Sequence, residues 1–246
     1  SPRTEPELAA RLAFYAYLHD GSVDSIAEAV RLLDAALDSG CRTAPILAMR
    51  AAVANTSSVY DFADRDVELD RAEALAREAL ARDASNVHAH LVLSWPLLQR
   101  GQVEVAVQLA ETAARLAPYQ PFYLSTSGMV LIACGEWHRG AALIREAQRL
   151  QPGMSGQTYS WLAMASLVDG NYGQALAEAS LLPADGGYVW GPLYRALALS
   201  GLGYREQAEV ETARAREMRP DVVDDDHPLR LEARQRWHTI TTNASS

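Results

Sequence analysis

The chain has 246 residues, of which 49% are hydrophobic, and a formal net charge of −9. Its 22 basic residues are all arginine. Binding to phosphate backbones depends on clustered basic groups that release counterions, so this acidic composition excludes nucleic-acid binding through this segment.

Two alanine-rich helices are predicted in the first third of the chain, over residues 25–38 and 69–83. Small apolar residues recur on one face of each: Ala29, Leu33 and Ala36 in the first, and Ala72, Ala76 and Ala79 in the second. The interval between the two faces is about nine residues longer than a 34-residue period. An insertion is therefore predicted in residues 44–86, with the polar run from Asn55 to Asp66 as a bulge.

A 34-residue period is visible from residue 87 onward. Gly101 recurs as Gly135 and Pro118 as Pro152, with an alanine-rich helix between each glycine and its proline. Glycine suits a tight turn between two helices, and a small residue soon afterwards lets the second helix approach the first. The small positions are Ala106, Gly140, Ala175 and Ala208.

This pattern resembles the tetratricopeptide repeat family, in which a helix-turn-helix unit recurs every 34 residues. The resemblance covers six units: residues 10–43, 44–86 with the insertion, 87–120, 121–154, 156–188 and 189–222. It implies an all-α fold, a right-handed α-solenoid of about six such repeats forming one domain over residues 1–246. The first-helix tryptophan of the family is replaced here by His90, Leu124, Tyr159 and Pro192.

The last part of the array departs from the regular pattern. Pro183 is predicted to end a second helix near Leu182, so that residues 183–188 link it to the final repeat. Terminal repeats need a cap, and a C-terminal capping helix is predicted over residues 228–239. Its buried side would hold Leu229, Leu231, Ala233 and Trp237.

Sequence patterns of catalysis and metal binding are missing. The chain has no glycine-rich phosphate loop, no Gly-x-Ser-x-Gly elbow and no paired cysteine motif. His88 and His90 are two residues apart on a predicted helix and point in different directions, unlike the i, i+4 pair of a metal site. We therefore expect no enzyme, no metal site and no cofactor.

The compartment is predicted from what the sequence lacks. No apolar run approaches the ~20 residues of a membrane-spanning helix, and the first residues have no signal-peptide character. Cys41 and Cys134 lie about three repeats apart, too far for a disulfide in an array whose repeats contact only their neighbours. Both are interpreted as buried apolar residues, and a cytoplasmic protein is expected.

The family resemblance also implies a binding surface, because stacked repeats expose certain first-helix positions along a concave groove. Most of these positions here are apolar or aromatic, and large patches of this kind mark binding sites. They lack the Lys, Asn and Arg set with which some family members hold a terminal carboxylate. The predicted partner-binding residues are His88, Trp95, Gln99, Phe122, Met129, Trp161, Met164, Trp190 and Tyr194.

The expected function is a non-catalytic protein–protein interaction scaffold that holds an apolar or amphipathic segment of a protein or peptide partner in this groove. One alternative is that the same side chains are core and the groove is filled, for example by the C-terminal helix. Another is a sensory or regulatory module of a larger chain that responds to a small ligand, because the first two units also resemble repeat domains attached to bacterial nucleotide cyclases and winged-helix regulators. None of these three interpretations predicts the oligomeric state.

Overall fold

A computed structural model describes residues 5–20, 22–59, 64–153, 157–182 and 189–218 of the chain. These ranges contain twelve α-helices and no strand. The helices are α1 (Glu5–Asp20), α2 (Val23–Asp38), α3 (Ala44–Val59), α4 (Arg65–Arg82), α5 (Val87–Gln99), α6 (Val103–Leu116), α7 (Pro121–Ala133), α8 (Trp137–Leu150), α9 (Gln157–Val168), α10 (Tyr172–Ala179), α11 (Trp190–Gly201) and α12 (Arg205–Met218).

Two predicted segments fall outside the described residues. They are the link over residues 183–188 and the C-terminal capping helix over residues 228–239. The helix that precedes the link, α10, ends at Ala179 and a turn continues to Leu182, where the stop had been predicted. None of the helices in the described ranges is both long enough and apolar enough to cross a membrane.

The helices form two compact units, Ser1–Cys134 with α1 to α7 and Gly135–Ser246 with α8 to α12. In unit 1 the odd-numbered helices pack side by side, α1 on α3, α3 on α5 and α5 on α7. The even-numbered helices α2, α4 and α6 each pack on the odd-numbered helix before and after them. In unit 2, α9 packs on α11, and α10 contacts both.

Small residues occupy buried positions of the helices, where the sequence predicted them. The alanine faces of α2 and α4 are fully buried, and so are Ala106 of α6 and Ala175 of α10. Gly140 of α8 and Ala208 of α12 are buried as well. Because these side chains are short, the axes of two packed helices can lie close together, and no space remains for a larger residue.

The turns between paired helices depend on glycine, which the sequence also predicted. Gly101 follows α5 with φ +74°, a left-handed conformation that residues with a Cβ rarely adopt. The Gly101 N–H donates to the carbonyl of Leu98, and the next N–H, of Gln102, donates to the carbonyl of Leu97, both at 2.9 Å. These bonds use carbonyls that the helix end would otherwise leave without partners.

The predicted bulge over residues 55–66 is wrong for residues 55–59 and 65–66, which are helical, and residues 60–63 lie outside the described residues. Residues 55–59 form the last turn of α3, and α4 begins at Arg65. Thr56 and Ser58 are accommodated in the helix because their hydroxyl groups donate to backbone carbonyls one turn earlier, at 3.3 and 2.7 Å. Much of the insertion therefore lengthens the two helices, which have 16 and 18 residues against 13 and 14 in α5 and α6.

Candidate partner-binding surface

Charge is distributed unequally among the helices of unit 1. The odd-numbered helices α5 and α7 contain no Asp, Glu, Lys or Arg, whereas α4 alone has nine charged side chains. The one charged residue of α3, Arg50, is 1% exposed. It pairs with Asp34 of α2 at 2.7 Å and with Glu68 of α4 at 3.4 Å. We call the solvent-facing side of α3, α5 and α7 the neutral surface.

Three of the predicted partner-binding residues offer apolar area on the neutral surface. Phe122 of α7 is 45% exposed, and Trp95 of α5 and Met129 of α7 are partly exposed. Phe122 lies one turn from Ser125 and Thr126, whose hydroxyls donate to its own carbonyl at 3.0 and 2.8 Å. Because those hydroxyls are paired within α7, the accessible groups here are mainly apolar.

Polar side chains next to Trp95 are already engaged. Gln99, another predicted partner-binding residue, accepts a hydrogen bond from Arg65 of α4 at 2.6 Å. Asn55 of α3 donates to the carbonyl of Val92 at 2.9 Å. By contrast, the Asn55 Oδ1 and Trp95 Nε1 atoms are buried and have no hydrogen-bond partner among the described residues.

In unit 2 the predicted residues separate into two kinds. Trp161 of α9 and Trp190 of α11 are partly exposed. Met164 and Tyr194 are 1% and 2% exposed, so they lie in the core in this conformation. The Tyr194 ring stacks on Trp190 with centroids 5.9 Å apart and thereby supports it from beneath. α9 contains no charged residue, and the one in α11, Arg195, pairs with Glu211 at 2.8 Å.

His88, one of the predicted partner-binding residues, lies at the centre of a group of aromatic rings. Its imidazole meets Phe14 of α1 edge-to-face at 5.6 Å, Phe122 in a stacked arrangement at 6.3 Å and Tyr123 edge-to-face at 6.2 Å. Tyr15 and Tyr17 extend the group along α1. We call these six residues the aromatic cluster: Phe14, Tyr15, Tyr17, His88, Phe122 and Tyr123.

The α1 members of this cluster were missed by the sequence analysis. A repeat pattern relates each helix to its neighbours, whereas Phe14 and His88 are far apart in the chain and two odd-numbered helices apart in the array. The run Phe14-Tyr15-Ala16-Tyr17, the densest aromatic segment near the start of the chain, was the available signal. Tyr17 is held by a hydrogen bond of 2.5 Å between its hydroxyl and that of Thr56.

Burial among these rings keeps His88 neutral. It lowers the pKa of His88 to about 4, because the charged imidazolium loses its hydration and gains no acceptor. The Nε2 atom is buried without a partner among the described residues. Burial and the neighbouring Tyr15 phenol raise the pKa of Tyr123, so that phenol is also neutral at physiological pH. His90 points elsewhere, with Nε2 3.0 Å from the carbonyl of Ala84.

No family model and no curated protein sequence matches the chain. Solved structures do match. YrrB, "a TPR protein with an unusual peptide-binding site", is 20% identical, with 82% of this chain and 97% of that one covered and a TM-score of 0.52. PilF of Pseudomonas aeruginosa is 18% identical over 89% and 95% of the two chains, with a TM-score of 0.60. A thermophilic TPR protein of Thermus thermophilus is 19% identical over 85% and 98%, with a TM-score of 0.57.

At these levels of identity the likeness shows a shared fold. The predicted all-α class of helical repeats is thereby confirmed.

Proposed function

We propose that this chain, which has the fold of the tetratricopeptide repeat proteins, is a non-catalytic scaffold that binds an apolar or amphipathic segment of a protein partner on the neutral surface. Helical-repeat proteins present extended surfaces of this kind, built from equivalent positions of successive repeats. Peptide binding is stated for YrrB in the description of its structure. For the present chain it is a proposal that rests on its own surface.

One observation supports the proposal above the others: exposed aromatic area coincides with a lack of charge. Trp95, Phe122 and Met129 lie on helices that contain no charged residue, while α4 has nine charged side chains and several ion pairs. Removing a charged side chain from water on binding is costly unless it finds a partner, so a neutral surface can be covered without that penalty. The favoured partner accordingly carries few charges in the segment that makes contact.

Trp95 and Phe122 are the expected energetic anchors. Aromatic side chains bury large areas and dominate many interfaces. Each square ångström of apolar surface covered contributes roughly 25 cal/mol before the costs of ordering both molecules. Trp161 and Trp190 are proposed to serve in the same way on the surface of unit 2. The proposal does not depend on Met164 and Tyr194, because their side chains are buried.

Selection from a random peptide library on the intact chain tests this function. We expect enrichment of peptides with several apolar residues and few charges, and at least ~10-fold weaker binding to the Phe122→Ala variant. Tyr119→Ala is the matched control, because Tyr119 is 82% exposed and lies in the turn before α7.

The result that would overturn the proposal is equally concrete. If selected peptides bound the Phe122→Ala and Trp95→Ala variants as tightly as the unaltered chain, with both variants folded by circular dichroism, the neutral surface would not be the binding site.

A further inference from the structure

Three side chains of the aromatic cluster reach the solvent. Phe122 is 45% exposed, Tyr15 is 53% exposed and Tyr123 is partly exposed. The Tyr123 ring lies 5.3 Å from that of Phe122. The Tyr15 ring lies 5.9 Å from that of Phe14, which connects it to His88 and Phe122. His88 lies beneath, stacked on Phe122. We call Tyr15, His88, Phe122 and Tyr123, which belong to α1, α5 and α7, the aromatic subsite.

The polar atoms of the subsite are suited to accept hydrogen bonds. Two phenol oxygens, of Tyr15 and Tyr123, can each accept, and in the tautomer with its proton on Nδ1 the His88 Nε2 atom accepts as well. That Nε2 atom has no partner among the described residues. Aromatic faces are also regions of negative potential, because of the ring quadrupole. Acceptors and ring faces together favour a positively charged group.

The surroundings do not repel a cation. α5 and α7 contribute no charged side chain, and the cation on α1 nearest in sequence to Tyr15, Arg11, lies 3.6 Å from the carboxylate of Glu7. The net charge of the chain is −9, which attracts cationic partners over a distance of about one Debye length. Charge complementarity therefore points to a basic residue in the partner.

We propose that the aromatic subsite binds an arginine side chain of the partner segment, with the planar guanidinium stacked on the exposed face of Phe122 and its N–H groups directed at the phenol oxygens of Tyr15 and Tyr123. Arginine is favoured over lysine because a guanidinium stacks on rings and presents several donors in one plane. This assignment rests on the proposed function and specifies it. The partner is apolar along the neutral surface and carries one arginine at its α1 end.

Fluorine NMR of the intact chain provides the test, because the sequence has only three phenylalanines. Incorporation of 4-fluorophenylalanine gives three resonances, and the Phe122→Leu variant identifies that of Phe122. The probe is N-acetyl-arginine amide, and N-acetyl-citrulline amide is its uncharged counterpart of nearly the same shape. We expect a saturable shift of the Phe122 resonance in the ~1–100 mM range with the arginine probe, and none with citrulline.

Two variants complete the experiment. Tyr15→Leu is expected to weaken binding of the arginine probe at least ~3-fold, whereas Tyr119→Leu, at a ring outside the subsite, leaves it unchanged. Equal shifts with citrulline, tighter binding of N-acetyl-lysine amide, or no shift of Phe122 would each overturn the assignment. If library peptides still required Phe122 while the arginine probe did not bind, the scaffold function would stand and the arginine subsite alone would fail.

Discussion

Arg50 holds three helices of unit 1 together through a side chain that is almost entirely removed from solvent. It extends from α3 to Asp34 of α2 and to Glu68 of α4, and Glu68 is itself buried. A second arginine, Arg71, binds the other oxygen of Glu68 at 2.6 Å. Burying such a group is tolerable only while its partners are present, because an unpaired charge in the interior has no compensation for its lost hydration.

Arg50→Ala is therefore expected to destabilise the chain by about 1–3 kcal/mol, because Glu68 keeps Arg71 but loses a hydrogen-bonded partner in the interior, and Asp34 loses one at its edge. The measurement is the free energy of unfolding from urea titration. Arg31→Ala is the control, since the pair between Arg31 and Glu28 lies on the exposed face of α2 and should make no measurable difference. A loss of less than ~1 kcal/mol for Arg50→Ala would contradict the role given to this side chain.

His88 gives the fold a dependence on acid. Its pKa is about 4 in the folded chain and near 6.5 when unfolded, so between these values the unfolded chain binds more protons. The contribution of neutral His88 to the free energy of unfolding is fully present above pH 6.5. It is lost as the pH falls towards 4, by up to about 3 kcal/mol.

Replacing His88 by phenylalanine should remove this dependence while keeping a ring in the cluster. We expect the melting temperature of the unaltered chain to fall more steeply between pH 7 and pH 4.5 than that of His88→Phe. His138→Asn should follow the unaltered chain, because His138 is 83% exposed. Parallel curves for the His88→Phe variant and the unaltered chain would show that His88 is not the group responsible.

At the scale of helices, the end of α11 in unit 2 packs tightly against the start of α10. A Cβ added at Gly201 would lie 2.5 Å from the ring of Tyr172, nearer than non-bonded carbon atoms approach. Gly173, one residue after that tyrosine, has nothing within 4 Å of the same hypothetical atom. Substitution by alanine is therefore expected to have opposite effects on stability at Gly201 and Gly173.

Gly201→Ala should cost about 1–3 kcal/mol, because the ring of Tyr172 must move out of a packed position. Gly173→Ala should be neutral or stabilise by up to ~1 kcal/mol, since alanine reduces the freedom of the unfolded chain and fits the helix. Thermal unfolding of both variants decides the matter. Equal effects of the two substitutions would show that backbone freedom, and not the contact with Tyr172, determines stability here.

The sequence predicted those features that depend on neighbouring positions in the chain. Glycine at the turns and alanine at the contacts between paired helices follow from local geometry, so Gly101 and Ala106 could be assigned with their roles. The lengths of α3 and α4 could not be predicted from the sequence. Thr and Ser occur in loops, and they also occur in helices where their hydroxyl groups bind backbone carbonyls. Contacts between distant helices, such as Phe14 with His88, leave no periodic signal.

In the candidate site, too, some features could be predicted from the sequence and others could not. The repeat register placed Trp95, Phe122 and Trp161 on first helices, where they are partly exposed. It gave equivalent positions to Met164 and Tyr194, which are buried, because register fixes the face of a helix but not how closely the neighbouring helices cover it. His88 was predicted as a polar neighbour of the groove, yet its environment depends on rings from α1 that the register does not relate to it.

For the whole molecule, contacts between neighbouring helices imply that a local disturbance stays local. In helical-repeat proteins each repeat is stabilised by its own packing and by its neighbours. Hydrogen exchange measured by mass spectrometry on Gly201→Ala should therefore show faster exchange in α10 to α12 and unchanged rates in α2 to α4. Acceleration of equal size in both groups would instead indicate that the chain opens as one cooperative body.

The unequal distribution of charge has a consequence for how such a chain can diverge. Charged side chains such as those of α4 favour solubility, while the neutral surface on α3, α5 and α7 would meet the partner. Substitutions that alter the choice of partner need not touch the residues that prevent aggregation. The two properties can vary independently, and new partners can be acquired by changing a few apolar side chains on one set of helices.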